Sequence, residues 1–79
     1  MTTLPTPQQV DAWLLAHGWN CRKRGAYYAE YENGWKNIAV PLWTESTYYP
    51  KQMETAVDII AIDCNCSFAK LVREMVQDG

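Results

Sequence analysis

The chain has 79 residues, a net charge of −2 and 48% hydrophobic residues, which describes one small globular domain. Four Trp, five Tyr and one Phe exclude a disordered chain, and no apolar run approaches the length of about 18 residues that a membrane-spanning helix needs. Residues 1–9 lack the basic and apolar regions of a signal peptide, so we expect a cytoplasmic protein without membrane contacts.

The first predicted element is a helix with clear signals at both ends. Thr6 and Gln9 form a capping box, Pro7 suits the first helical position, and Gly18 ends the helix. One helical stripe is formed by Val10, Trp13, Leu14 and His17. We interpret His17, the only histidine, as a packing residue at the helix end and not as a catalytic base.

Three strand patterns follow, over Trp19 to Arg24, Tyr27 to Glu32 and Trp35 to Leu42. Asn33-Gly34 predicts a two-residue type I′ turn between the last two. In that register Glu32 faces Trp35, Ala29 faces Ile38 and Tyr27 faces Val40. The predicted core face carries Tyr27, Ala29, Tyr31, Ile38, Val40 and Leu42, and the outer face carries Tyr28, Glu30, Glu32, Trp35 and Asn37.

The first hairpin has two alternative loops. A Gly25-Ala26 loop would place Arg22 and Arg24 on the core face. A three-residue loop from Gly25 to Tyr27 places Trp19 and Cys21 there instead, with Arg22 opposite Glu30 and Arg24 opposite Tyr28 on the outer face. We prefer the three-residue loop, because opposite charges on paired strands are favourable.

Two more helices follow. The second begins near Pro50 and runs to about Asp63, and its buried stripe comprises Met53, Ala56, Val57, Ile60 and Ala61. Asn65 suits the left-handed conformation that ends a helix, and Ser67 can cap the next one. The stripe of the third helix comprises Phe68, Leu71, Val72, Met75 and Val76. The predicted fold is α+β, in the order α-β-β-β-α-α, with an antiparallel three-stranded meander packed on helices on one face.

Catalytic and metal sites are not indicated. Cys21, Cys64 and Cys66 are an odd number of thiols, typical of a reducing compartment. A structural zinc ion needs about four ligands, and Cys64-x-Cys66 supplies two. We therefore expect no metal, no cofactor and no enzymatic activity.

Aromatic residues outside the predicted core indicate an interface instead. Tyr28 and Trp35 lie on the predicted outer face, where Arg22, Arg24, Glu30 and Glu32 surround them with both signs of charge. Trp43, Tyr48 and Tyr49 lie in or beside the following loop. This composition is typical of a protein–protein hot spot.

Nucleic-acid binding is the alternative use of the same region. Arg22-Lys23-Arg24 lies close to Tyr27, Tyr28 and Tyr31, and arginine can bind phosphate while tyrosine stacks on a base. The acidic balance of the chain opposes this alternative.

Residues 8–42 resemble HicA-type mRNA interferase toxins, which have a double-stranded-RNA-binding-like fold. The resemblance rests on His17-Gly18-Trp19, Arg22-x-Arg24-Gly25 and Ile38-Ala39-Val40-Pro41. That family has an Arg-x-x-Gly-Ser-His run whose histidine acts in RNA cleavage, and Tyr27 stands at that place here. The resemblance therefore implies the fold and RNA binding without cleavage.

Residues 37–76 loosely resemble ribbon-helix-helix proteins, through Val40-Pro41-Leu42, Ile60-Ala61, Asn65-x-Ser67 and Leu71-Val72-Arg73-Glu74. That resemblance implies dimerisation through the strand and DNA binding, although the strand is already used by the predicted hairpin.

The leading hypothesis is a non-enzymatic module that binds another protein, such as an inhibitor encoded by a phage or mobile element, or a toxin–antitoxin partner. The alternatives are an RNA-binding, degenerate HicA-like domain and a dimeric DNA-binding regulator. A homodimer is left open.

Overall fold

Three antiparallel strands form one sheet, preceded by one helix and followed by two. The computed structural model describes residues 4–42 and 50–77. Its elements are α1 (Pro7–Ala16), β1 (Asn20–Arg24), β2 (Tyr28–Asn33), β3 (Lys36–Pro41), α2 (Pro50–Asp63) and α3 (Phe68–Gln77). The strand order β1-β2-β3 is a meander. The predicted α+β class and element order are confirmed.

Helix α1 begins and ends where the sequence predicts. The Thr6 hydroxyl accepts a hydrogen bond from the Gln9 N–H, and the Gln9 side chain accepts one from the Thr6 N–H, at 3.2 and 2.8 Å. His17 is the C-terminal cap, its Nδ1 lies 2.7 Å from the Trp13 carbonyl, and its ring stacks on that of Trp13. These contacts support the interpretation of His17 as a packing residue.

The register of the β2–β3 hairpin differs from the prediction by two residues. Asn33 pairs with Lys36 and Glu32 with Asn37, so Gly34 and Trp35, and not Asn33 and Gly34, are the turn residues. Gly34 has a φ of 65° and Asn33 does not have a positive φ, the pattern of a type II′ turn with glycine in first position.

A shift by two residues preserves the faces of both strands, because side chains alternate with period two. Ala29, Tyr31, Ile38 and Val40 are buried as predicted, and Leu42 is half-buried. Tyr27 is an error of the prediction: it is 56% exposed, since β2 begins only at Tyr28.

The β1–β2 pairing contains a β-bulge that the sequence analysis missed. Cys21 lies opposite Tyr31, but the register then shifts so that Lys23, and not Arg22, lies opposite Glu30, and Arg24 lies opposite Ala29. Arg24 consequently shares the helix-covered face with Ala29 and does not lie on the outer face.

Cys21 is exposed and not in the core as predicted. All five residues of β1 are exposed, although α1 contacts this edge strand, whereas the other edge strand, β3, has buried residues and packs against α2. Trp19, immediately before β1, is buried as predicted.

The predicted stripe of α2 is entirely buried. In α3 Leu71, Val72 and Met75 are buried, Phe68 is partly buried and Val76 is exposed at the margin. Asn65 has a φ of 57° between the two helices, and the Ser67 hydroxyl accepts a hydrogen bond from the Lys70 N–H. Both of these helix-end predictions are confirmed.

A polar contact links α1 to the sheet at the core boundary. The Tyr31 hydroxyl donates a hydrogen bond to the Asp11 carboxylate, and Arg24 lies 3.3 Å from the same carboxylate oxygen. Burial, and next the hydrogen bond to Asp11, raise the pKa of Tyr31 well above its ordinary value. The folded protein therefore favours the neutral phenol.

Tyr31→Phe removes this hydrogen bond, and we expect it to lower the free energy of unfolding by about 1.5–3 kcal/mol at neutral pH, the usual range for a bond to a charged group. Because the pKa of Tyr31 is raised on folding, its contribution is complete below about pH 10, the ordinary tyrosine pKa, and decreases as the pH rises further. Urea unfolding from pH 7 to 11 should show a constant difference between the two proteins that shrinks above pH 10. A difference that grows above pH 10 would contradict this account.

Candidate functional site

The outer face of the sheet carries three of the nine predicted interface residues, Tyr28, Glu30 and Glu32. Glu30 lies between Lys23 of β1 and Ala39 of β3, and Glu32 pairs with Asn37. Glu30 and Glu32 are half-buried and Tyr28 is 42% exposed. Trp35 belongs to the turn itself and is 87% exposed, and Asn37, not Trp35, lies opposite Glu32. Tyr28 lies opposite Pro41 and not opposite Ala39.

The predicted arginines do not join this surface as a pair. Arg24 lies on the helix side of the sheet, where Asp11 neutralises it. Arg22 is exposed at the bulge of β1, on the opposite edge of the sheet from β3. Trp43, Tyr48 and Tyr49 lie outside the described residues.

Helix α2 runs antiparallel along β3 and forms a groove with it. Lys36 Nζ lies 2.7 Å from Asp63 Oδ1, which joins the start of β3 to the end of the helix. Two open cavities of about 500 and 430 Å³ lie between the two elements and share Asn37 and Ile59. We name this surface the β3–α2 groove and define it by Tyr28, Trp35, Asn37, Ala39, Ile59 and Ile62.

Apolar side chains along the groove are exposed to solvent. Ile62 is 73% and Ile59 49% exposed, in addition to Trp35 and Tyr28. The Lys36 ammonium lies 6.0 Å from the centre of the Trp35 ring, at the distance of a cation–π contact, and is held there by Asp63. Exposed apolar groups that adjoin one another, and are not scattered singly, mark interaction surfaces.

The edge of β3 offers backbone hydrogen-bonding groups to this groove. The Leu42 N–H donates to the Tyr27 carbonyl, so this pair is a hydrogen-bonded pair of the antiparallel ladder. Bonded and non-bonded pairs alternate, so Val40, Ile38 and Lys36 also bond to β2. The N–H and C=O groups of Asn37 and Ala39 therefore point away from β2, along the open edge.

Charged groups of both signs border the groove. Lys51, Lys36 and Asp63 line its two cavities, whereas Asp58 lines a separate cavity beside Phe68 of α3. Ion pairs within residues 4–42 and 50–77 are Arg24–Asp11 and Lys36–Asp63, so Glu30 and Glu32, on the adjoining outer face, are not paired within this part of the chain. The carboxylates without an ion pair thus lie on the outer face beside the groove.

Cys64 is not activated as a nucleophile. The sulfur atoms of Cys64 and Cys66 lie 2.9 Å apart, at the turn between α2 and α3. Burial, and next the hydrogen bond with Cys66, raise the pKa of Cys64 to about 11, so it remains a thiol at neutral pH. In the described part of the chain, no group of three or more His, Cys, Asp or Glu side chains could hold a metal ion.

Comparison with known proteins gives no assignment: no model of a protein family, no curated protein and no solved structure matches this chain. The resemblances to HicA-type toxins and to ribbon-helix-helix proteins stay predictions. None of the helices over the described ranges is both long and apolar enough to cross a membrane.

The sequence analysis missed Ile59 and Ile62, although a signal for them exists. Ile59, Ile60 and Ile62 fall within four residues, and successive residues of a helix differ by about 100° in direction. One stripe cannot contain all three, so some of them had to lie outside the core.

Trp35→Ala and Ile62→Ala should leave the fold intact, because both side chains are mostly in solvent. We expect changes in the free energy of unfolding within about 0.5 kcal/mol. The matched core variants Trp19→Ala and Ile60→Ala should each cost about 2–5 kcal/mol. Urea unfolding of the four variants tests this, and a large loss of stability in Trp35→Ala would mean that the turn belongs to a second core.

Proposed function

We propose that this chain is a non-enzymatic protein-binding module and that the β3–α2 groove is its docking surface. One observation carries the proposal: Trp35, Ile59, Ile62 and Tyr28 are exposed side by side, along a groove that adjoins an open sheet edge. An inhibitor and a toxin–antitoxin partner are two biological roles that such a module would suit.

The energetics of the groove support a protein partner. Trp and Tyr are enriched among residues that dominate binding energy, and they act best when a surrounding rim excludes water. Trp35 stands at one end of the groove and Tyr28 at the other, with Ile59 between them. Polar and charged groups, among them Asn37, Lys36 and Asp63, form the rim.

Charge distinguishes this proposal from nucleic-acid binding. A polyanion at the groove would meet Glu30 and Glu32 on the adjoining outer face, whereas the Lys36 ammonium is already paired with Asp63 and the Arg24 guanidinium with Asp11. Arg22 and Lys23 are exposed on β1 and remain available to phosphate at the other edge of the sheet. The alternative RNA- or DNA-binding function would therefore use β1 and not the groove.

The test is affinity capture from a lysate of the source organism, with and without nuclease, on four immobilised proteins. These are the wild type, Trp35→Ala, Arg22→Glu and the control Leu15→Ala, which alters an exposed apolar residue of α1 outside the groove. We expect to capture a protein whose binding does not depend on nucleic acid and is therefore unchanged by nuclease. It should bind the wild type, Arg22→Glu and Leu15→Ala with equal affinity. Binding to Trp35→Ala should be weaker by at least about 2 kcal/mol.

Calorimetry with the purified partner then measures each affinity. Partners that disappear after nuclease treatment and depend on Arg22 would replace this function with nucleic-acid binding. Titration of labelled single-stranded RNA and duplex DNA distinguishes protein binding from nucleic-acid binding without a lysate. Affinity for either nucleic acid that falls steeply with salt would indicate phosphate contacts.

A further inference from the structure

No strand of the described part of the chain pairs with the outer edge of β3, and this edge has the hydrogen-bonding pattern that an added strand requires. Asn37 and Ala39 each present one N–H and one C=O away from β2, and both residues are exposed. A strand placed next to them forms up to four backbone hydrogen bonds. Pro41, which has no N–H, lies beyond this pair and does not interrupt it.

The groove also fits the side chains of such a strand. Alternate side chains of an added strand point to the two faces of the sheet. Those on the helix side would lie beside Ile38 and under Ile59 and Ile62 of α2, in the cavities of about 500 and 430 Å³. This position favours apolar side chains of medium size next to Ile38 and Ile59, with Lys51, Gln52 and Thr55 of α2 at the far end of the larger cavity.

The other side chains of the added strand would lie on the outer face, next to Asn37 and Ala39. Ala39 has only a methyl group and lies directly opposite Glu30. A side chain paired with Ala39 is two strand spacings from Glu30, about 10 Å, and an extended arginine or lysine covers that distance over the methyl group. Since Glu30 and Glu32 have no ion-pair partner within the described ranges, basic side chains fit here.

A second copy of this chain fits the edge poorly. Pairing β3 with its copy would bring the two helices α2 close together, because α2 packs along the edge strand itself. Helices centred on neighbouring strands would be about 4.8 Å apart, whereas packed helices need about 8–10 Å. A single extended segment that carries no helix avoids this clash.

We infer that the partner binds as an extended segment with alternating apolar and basic residues, which adds a fourth strand to the sheet at β3. The inference rests on the proposed function, because it names the form of the partner at the same groove.

The probe is a capped six-residue peptide of alternating valine and arginine, matched in length to β3. Two comparison peptides alternate valine with glutamate, or keep the composition and group the valines at one end. We expect only the first to bind, and the amide protons of Asn37 and Ala39 to gain protection from solvent exchange in NMR spectra. The amides of Ile38 and Val40, already bonded to β2, are the internal reference.

Ala39→Pro removes the outward N–H without touching the bonds to β2, so it should weaken peptide binding about tenfold or more. Ala39→Thr keeps the N–H and is the matched control. If Ala39→Pro does not fold, a peptide methylated on the nitrogens that face β3 replaces it, and should not bind to the wild type. Glu30→Gln should weaken the arginine peptide several-fold and leave the fold unchanged.

The inference is overturned if the valine–arginine peptide does not bind, if the glutamate peptide binds equally well, or if binding does not protect the amides of Asn37 and Ala39. It is also overturned if these amides become protected at high protein concentration without peptide, because a second copy would then occupy the edge. If a lysate partner then still depends on Trp35, the proposed function stands and only the strand-addition inference fails.

Discussion

A sheet has two faces and two edges, and residues 4–42 and 50–77 contain three helices with which to cover them. α1 and α2 pack on the face that carries Ala29, Tyr31, Ile38 and Val40, because those residues supply the apolar side of β2 and β3, and α3 packs against both helices. Within the described ranges, no helix covers the outer face and no strand pairs with the outer edge of β3. The position of the groove follows from this arrangement, since α2 lies along β3 and not over the middle of the sheet.

The bulge in β1 decides how charge is distributed over the molecule. It moves Arg24 to the helix side, where the Asp11 carboxylate accepts hydrogen bonds from both Arg24 and Tyr31 at the core boundary. The basic triplet is thereby divided, and Glu30 has Lys23 across from it and not Arg22. The outer face beside the apolar groove carries Glu30 and Glu32, which form no ion pair within residues 4–42 and 50–77, and this favours a partner with apolar and basic groups over a polyanion.

Exposing Trp35, Ile59 and Ile62 contributes nothing to the stability of a domain this small, in which a few kcal/mol decide whether the chain folds. The Lys36–Asp63 pair keeps the turn of the hairpin next to the end of α2, so these side chains remain adjacent. A surface of this kind is typical of a protein-binding site. Hydrogen bonds from the backbone groups of Asn37 and Ala39 would orient a bound segment, which apolar contacts alone do not do.

Local signals in the sequence determined the caps at Thr6 and Ser67, the left-handed Asn65, the helical stripes and the alternation of β2 and β3, because each depends on residues only a few positions apart. The predicted faces of β2 and β3 are correct despite a register error of two residues, because side chains of a strand alternate with period two. The tertiary structure decided three features: the turn at Gly34-Trp35, the bulge at Arg22 and the position of Arg24 on the helix side of the sheet. These features depend on α1 and α2, distant in sequence, and only their packing selects one register and leaves one edge of the sheet open.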